Sequence, residues 1–341
     1  MPGDFLQLPG EEQARRLRDL AVGAVRHWDV VDPVLRLIKY RENAVFEVNG
    51  AADFRAVLRV HRQGYHSDDH LASELRWMAM LAEGGMKVPA PIASRRGAFM
   101  IRAESPAVPG SWQVDMLSWL QGVELGQVGE PLDLEGRDPR TVFSQIGAAM
   151  ATLHNLSAAW PEQDSVPRHA WDRDGLVGPS PFWGPFWELD MLSDDQKALV
   201  LDARKAIAED LHSYPGTARN YGLIHADFVP ENVMLGQDGV MIIDFDDAGF
   251  GWHMFDIVTA LYWLADEPAY TGIRDAFLSG YRGLRALSEA DLAMWEVFAT
   301  ARSLTYLGWV HTRGNNAEAL QLAPLLVDMA QAQCQSYLQG R

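Results

Sequence analysis

One cysteine, Cys334, stands in the 341 residues. A lone thiol excludes an intrachain disulfide and any metal site built from cysteines. No uncharged apolar run approaches the roughly 18 residues that a membrane-spanning helix needs. The first residues, with Asp4, Glu11, Glu12, Arg15 and Arg16, lack the apolar stretch of a secretory signal. The expectation is a cytoplasmic, globular protein with no membrane partner. Internal repeats and low-complexity segments are missing too. Positive charge is scarce: 29 Lys+Arg stand against 46 Asp+Glu, for a formal charge of -17. The deficit is uneven. Residues 1–117 carry 15 basic and 15 acidic side chains, whereas residues 118–341 carry 14 and 31. A field of that sign repels nucleic acid and attracts cations. It fits a solvated acidic surface, and it equally fits a site for a positively charged acceptor.

What is present is concentrated in residues 223–247, LIHADFVPENVMLGQDGVMIIDFDD. Two short apolar runs, 233–235 and 240–243, flank Asp238-Gly239, and an Asp-Gly pair in that setting predicts a β-hairpin. His225, Asp227 and Asn232 then lie on a loop before the first strand, and Asp244 at the end of the second. Two carboxylates and an amide converging at one end of a hairpin repel one another unless a cation or a proton joins them.

Elsewhere the pattern alternates between strands and helices. Residues 11–28 read as an amphipathic helix. Residues 34–38, 45–48 and 54–60 read as strands, as do 98–102 and 114–119. No glycine occurs between Ile38 and Val48; a polar turn, Arg41 to Asn43, stands there instead. Ser67 can cap a helix with Asp68 and Asp69 in its first turn and Gly84-Gly85 at its end. Glu74 borders the buried stripe Leu71, Leu75, Met78 and Leu81, so it needs a partner. Further helices are expected over 141–158, 194–211, 252–264, 270–281, 289–309 and 316–338. His154 reads as a packed, hydrogen-bonded histidine. Residues 160–190 hold Trp160, Trp171, Phe182, Trp183, Phe186 and Trp187 among five prolines, which excludes a single helix. That segment reads as a packed insertion or as the wall of a binding pocket.

The pattern His225-x-Asp227-x-x-x-x-Asn232, followed by an apolar strand and Asp244, resembles the catalytic core of the eukaryotic-like kinases. In the form LIHADFVPEN…IDFDDAGFG it is similar to the aminoglycoside phosphotransferase branch, which also includes choline- and homoserine-type kinases. The resemblance implies a bilobal, protein-kinase-like α+β fold. Residues 1–117 would form a small lobe with an antiparallel sheet, 118–124 a hinge, and 125–341 a larger, mainly helical lobe. It implies ATP and Mg²⁺ as cofactors. Asp227 would accept the proton of an acceptor hydroxyl, or orient it, with His225 orienting the loop. Asn232 and Asp244 would hold the metal. Arg59, where the family expects lysine, would pair with Glu74 and position phosphates. The turn at Asn43 would face phosphate, and the hinge around Leu120 would receive adenine. Asp256 would brace the catalytic loop.

Asp246 replaces the glycine that follows Asp-Phe in protein kinases, and only four residues separate Asp247 from Trp252. Both departures favour a small-molecule acceptor over a protein; the resemblance implies a hydroxyl of an amino-bearing, aminoglycoside-like compound, and the acidic balance fits a cationic one. A homoserine-type or choline-type kinase, a Ser/Thr protein kinase and a non-catalytic nucleotide-binding protein are the alternatives, the last motivated by Arg59 and the missing glycines. Nothing in the sequence fixes the oligomeric state.

Overall fold

Alternation along three strands sorts their side chains onto two faces. Ala44, Phe46 and Val48, then Ala56, Leu58 and Val60, then Val114 and Met116 enter one buried cluster. The strands that carry them belong to a five-stranded antiparallel sheet in the order β1-β2-β3-β5-β4. Its members are β1 (Val34–Tyr40), β2 (Ala44–Asn49), β3 (Arg55–Val60), β4 (Met100–Ser105) and β5 (Val108–Ser118). Helix α1 (Gly10–Ala24) covers the apolar face with Leu17, Leu20, Ala21 and Ala24. Helix α2 (Asp68–Glu83) begins at Ser67, whose hydroxyl accepts the His70 N–H, and buries Leu71, Glu74, Leu75 and Met78. The computed structural model describes residues 5, 7–40, 43–128, 130–237, 239–265, 267–314 and 317–341. Arg41, Glu42 and Asp238, which figure in the two turns expected from sequence, lie outside them.

The chain divides into two compact units. The first comprises Met1–Gly122, Ser165–Pro167 and Met241–Ile243. The second comprises Val123–Asp164, Arg168–Val240 and Asp244–Arg341. The second is mainly helical: α3 (Pro139–Ala159), α4 (Arg173–Val177), α5 (Asp194–Ser213), α6 (His253–Tyr262), α7 (Tyr270–Arg282), α8 (Glu289–Leu292), α9 (Trp295–Thr312) and α10 (Ala317–Gln339). Short strands intervene: β6 (Val123–Glu124), β7 (Ala170–Trp171), β8 (Tyr221–Ile224), β9 (Val233–Gly236), β10 (Gly239–Ile242) and β11 (Gly249–Trp252), of which β10 has its Met241 and Ile242 in the first unit. β11 lies between β8, antiparallel to it, and β7, parallel to it. Asp138 caps α3 by accepting the Thr141 N–H, and α5 carries a capping box formed by Ser193 and Gln196.

Two differences from the sequence pattern have local causes. The single helix expected over 289–309 is two. Ser288 and Asp291 form a capping box for α8, and the N–H groups of Ala293 and Met294 bond back to Glu289 and Asp291, closing it before α9 begins. β5 starts six residues earlier than expected, because Pro109 and Gly110 sit near its first residues instead of ending it. Among the described residues, no helix is long and apolar enough to cross a membrane.

Helices α3 and α7 approach through glycine. A Cβ on Gly280 would lie 1.9 Å from the Ser144 carbonyl oxygen, and one on Gly147 2.1 Å from that of Phe277. Neither obstacle is a flexible side-chain end, so the helices themselves would have to move apart. We expect Gly280→Ala to cost about 1–3 kcal/mol, as overpacking does. Urea unfolding of the variant checks this, and an unchanged midpoint would contradict the close approach.

Candidate active site

The loop after β8 is built on a buried carboxylate. Asp256, in the first turn of α6 and fully buried, accepts the N–H of His225 at 2.9 Å through Oδ2 and that of Ala226 at 2.6 Å through Oδ1. Burial pushes its carboxyl up; His225 and the two backbone N–H groups act against that. These bonds hold a backbone that few non-glycine residues adopt, since Ala226 has φ +64°. His154 Nε2 lies 3.1 Å from Asp256 Oδ2, and its Nδ1 lies 2.9 Å from the Tyr281 hydroxyl. Burial pushes His154 well below the usual histidine range, so it is a neutral, packed hydrogen-bonding residue.

Asp227 follows directly. Its side chain is 23% exposed. Asn232 Nδ2 donates to its Oδ2 at 3.0 Å and to its backbone carbonyl at 2.9 Å. Committing the amide nitrogen this way turns Asn232 Oδ1, the group's acceptor, in another direction. Arg302 Nη2 donates to Asp227 Oδ1 at 2.7 Å. His225 is fully buried between Phe228 and Phe245, and its Nδ1 accepts the Asp227 N–H at 3.3 Å. Of these contacts, Phe228 and the Asp227 N–H belong to the loop itself.

Asp244 is exposed and sits at φ +63°, just beyond β10. The loop that follows it is fastened by residues of the aromatic segment. Arg168 donates to the carbonyls of Asp246 at 2.5 Å and Ala248 at 2.6 Å. Trp171 Nε1 donates to the Asp247 carbonyl at 2.9 Å, and Trp183 Nε1 to Asp247 Oδ1 at 3.1 Å. Trp171 stacks on Phe255 of α6 and meets Trp183 edge to face. Trp171, Trp183 and Phe186 are buried. Most of the segment's aromatic surface is therefore packed against the second unit.

In the first unit, Arg59 and Glu74 are paired, Nη2 to Oε1, at 3.0 Å. Sequence reasoning missed their third member. Asp115 of β5 stands directly opposite Arg59 in the β3–β5 register. It takes Nε at 2.9 Å and Nη2 at 2.8 Å, a two-pronged contact. His61 Nε2 lies 2.6 Å from the same carboxylate. Burial pushes Asp115 up, but Arg59 and His61 outweigh it and hold the carboxyl at about 2. Asn43 accepts the Arg62 N–H through Oδ1 at 2.9 Å. Leu120 is half-buried, next to Trp119, whose ring carries the Arg55 guanidinium at 3.7 Å.

Sequence reasoning also missed Arg302. The signal was present: from Val297 to Val310 it is the only charged residue. A lone cation in an apolar helix needs a buried partner.

Comparison with known proteins assigns the chain. A family model described as a phosphotransferase enzyme family matches residues 35–296. Amicoumacin kinase of Bacillus subtilis is 26% identical over 318 residues, covering 90% of this chain and 87% of its own. Homoserine kinase of Phenylobacterium zucineum is 26% identical over 311 residues, covering 89% and 84%. Among solved structures, a microcompartment-associated aminopropanol kinase superposes with a TM-score of 0.80 at 28% identity, covering 94% of this chain and 97% of that one. The amicoumacin kinase hAmiN, solved with AMP-PNP, Ca²⁺ and Ami, superposes at 0.75 with 20% identity, over 95% and 96%. The fold is thus the α+β, protein-kinase-like fold, and the chain belongs to the phosphotransferase enzyme family.

Proposed function

We propose that this phosphotransferase is a small-molecule kinase that moves the γ-phosphoryl group of ATP, with Mg²⁺, to a hydroxyl of a small amino-bearing acceptor. The single observation that carries this reading is the setting of Asp227. Its carboxylate is partly exposed while both oxygens are already oriented by Asn232 and Arg302. Phosphoryl transfer asks a protein chiefly to position groups and to neutralise charge. Asp227 would accept the hydrogen of the acceptor hydroxyl, and His225 would keep the loop in shape. Asn232 Oδ1 and the Asp244 carboxylate are hard oxygen donors of the kind Mg²⁺ prefers. They would hold the metal, which would offset charge on the phosphates. Arg59, fixed by Glu74 and Asp115, would set the phosphate-facing side of the first unit, with Asn43 at the adjoining turn. Leu120 would belong to a hinge, 118–124, that receives adenine, with residues 1–117 and 125–341 as the two lobes.

The amino-bearing acceptor is supported by the acidic balance of residues 118–341 and by the aminopropanol and homoserine kinases among the relatives. ADP release from Mg-ATP, measured with aminopropanol, homoserine, choline and an aminoglycoside, tests it. Saturable turnover with an amino alcohol or hydroxy amino acid is expected. No turnover across the panel, from protein that unfolds cooperatively, counts against the reading. Chelation by EDTA should abolish ADP release, and excess Mg²⁺ should restore it; turnover that persists in EDTA would remove the metal from the proposal.

A further inference from the structure

Arg302 is a costly residue. It is fully buried in α9, and moving a guanidinium out of water is repaid only by good partners. Its polar contacts go mostly to the catalytic loop: Nη1 to the Ala226 carbonyl at 3.0 Å, Nη2 to Asp227 Oδ1 at 2.7 Å and to the Tyr306 hydroxyl at 2.9 Å. Its Nε is buried and has no acceptor among the described residues. The rest of its surroundings is aromatic. The guanidinium carbon lies 4.3 Å from the Tyr306 ring centre, 4.8 Å from that of Trp183 and 5.8 Å from that of Phe255. Such faces attract a cation without taking its hydrogens. They seat the guanidinium and leave its two outer nitrogens for the loop.

We propose that Arg302 is a positioning residue for phosphoryl transfer, fixing Asp227 from a seat that Trp183 and Tyr306 build. The proposal rests on the reading of Asp227 as the group that meets the acceptor hydroxyl. It gives the aromatic segment a task. Trp183 holds Arg302 through its ring and Asp247 through its Nε1–H, so one side chain links the Asp227 loop to the loop that carries Asp244. With Arg302 on Oδ1 and Asn232 on Oδ2, the Asp227 carboxylate cannot swing, yet each oxygen keeps a lone pair. Arginine suits this seat because its planar fork spans the carbonyl of Ala226 and the carboxylate of Asp227 together; an ammonium is a single point of charge.

The test compares Arg302→Met, Arg302→Lys and Trp183→Leu with wild type. The readouts are kcat and KM for ADP release from Mg-ATP, the binding of a fluorescent ATP analogue, and the urea midpoint. The acceptor is whichever panel compound turns over, or water where none does. Displacing a reacting group by about 1 Å can cost about 10²-fold, and a drop of that order in kcat is expected for Arg302→Met. Acceptor KM and nucleotide affinity should change little. Arg302→Lys should recover part of the loss, and Trp183→Leu should lower kcat although Arg302 is intact. If Arg302→Met does not fold, the other two variants decide. Wild-type kcat in Arg302→Met, or in both of the others, overturns the proposal, as does a fall in rate that merely follows the loss of folded protein. A wild type that releases no ADP under any condition overturns the reading of Asp227 and this proposal with it; active wild type matched by its variants overturns the positioning role alone.

Discussion

Asp227→Asn should lower kcat for phosphoryl transfer by about 10²–10⁴-fold, the range that a positioned acid–base group contributes. The asparagine variant is the informative one, because it separates chemistry from folding. Its Oδ1 can still accept from the buried Arg302, whose Nη2 lies 2.7 Å from that atom in the native chain. Asp227→Ala would instead leave a fully buried guanidinium without its anion, and stability would fall together with activity. What asparagine loses is the negative charge and the second acceptor oxygen, the one that Asn232 now orients at 3.0 Å. It gains an NH₂ group at that position, which faces the Asn232 amide donor-to-donor. Nucleotide affinity should hold, because the contacts of Asp227 lie with Asn232, Arg302 and its own loop. Steady-state kinetics beside a nucleotide titration measure both. Near-native kcat in Asp227→Asn would remove this carboxylate from the transfer step.

The parts of the molecule that were legible in the sequence are those whose signals are local. Ser67 before Asp68-Asp69 marks the start of α2, and the apolar runs around Asp238-Gly239 mark β9 and β10. Glu74 announced a buried partner by its place beside an apolar stripe, and Arg59 is 15 residues away. Asp115 was not legible. It meets Arg59 across 56 residues of chain, and only the register of β3 against β5 sets them opposite each other. A slip of one residue would have sent Asp115 to the other face of the sheet. Arg302 shows the same limit from the opposite side. Its burial follows from the apolar run around it, but the identity of its anion, 75 residues earlier, depends on where α9 packs. The aromatic segment stayed ambiguous because prolines and tryptophans specify irregular packing without specifying a partner. The hydrogen bonds by which Arg168 and Trp171 hold residues 245–248 end on backbone carbonyls, which leave no trace in side-chain chemistry.

Asp115→Asn should destabilise the protein by about 3–5 kcal/mol, the cost of breaking a buried ion pair from one side. Three charged or polar groups converge on this carboxylate: two nitrogens of Arg59 and the ring of His61, at 2.6–2.9 Å. All of them are buried. An asparagine there supplies one acceptor and turns an NH₂ group toward donors. Glu74 meets Arg59 through Nη2 at 3.0 Å, and the two-pronged contact belongs to Asp115. The pH dependence gives the cause away. Asp115 is held at about 2 in the folded state against an ordinary 3.8, so its contribution is complete above about 3.8 and is lost as pH falls through about 2. The stability difference between wild type and Asp115→Asn should therefore stay level from neutral pH down to about 4, then shrink as the wild-type carboxylate itself takes a proton. A separate loss begins earlier and is common to both proteins. His154 and His253 are pushed well below 6.5 by burial, so the unfolded chain binds protons there that the folded chain does not, and stability declines once pH drops below 6.5. Urea unfolding of both proteins across pH 7 to 3 separates the two effects. A difference that disappeared already at pH 6 would place its origin in the histidines and not in the carboxylate opposite Arg59.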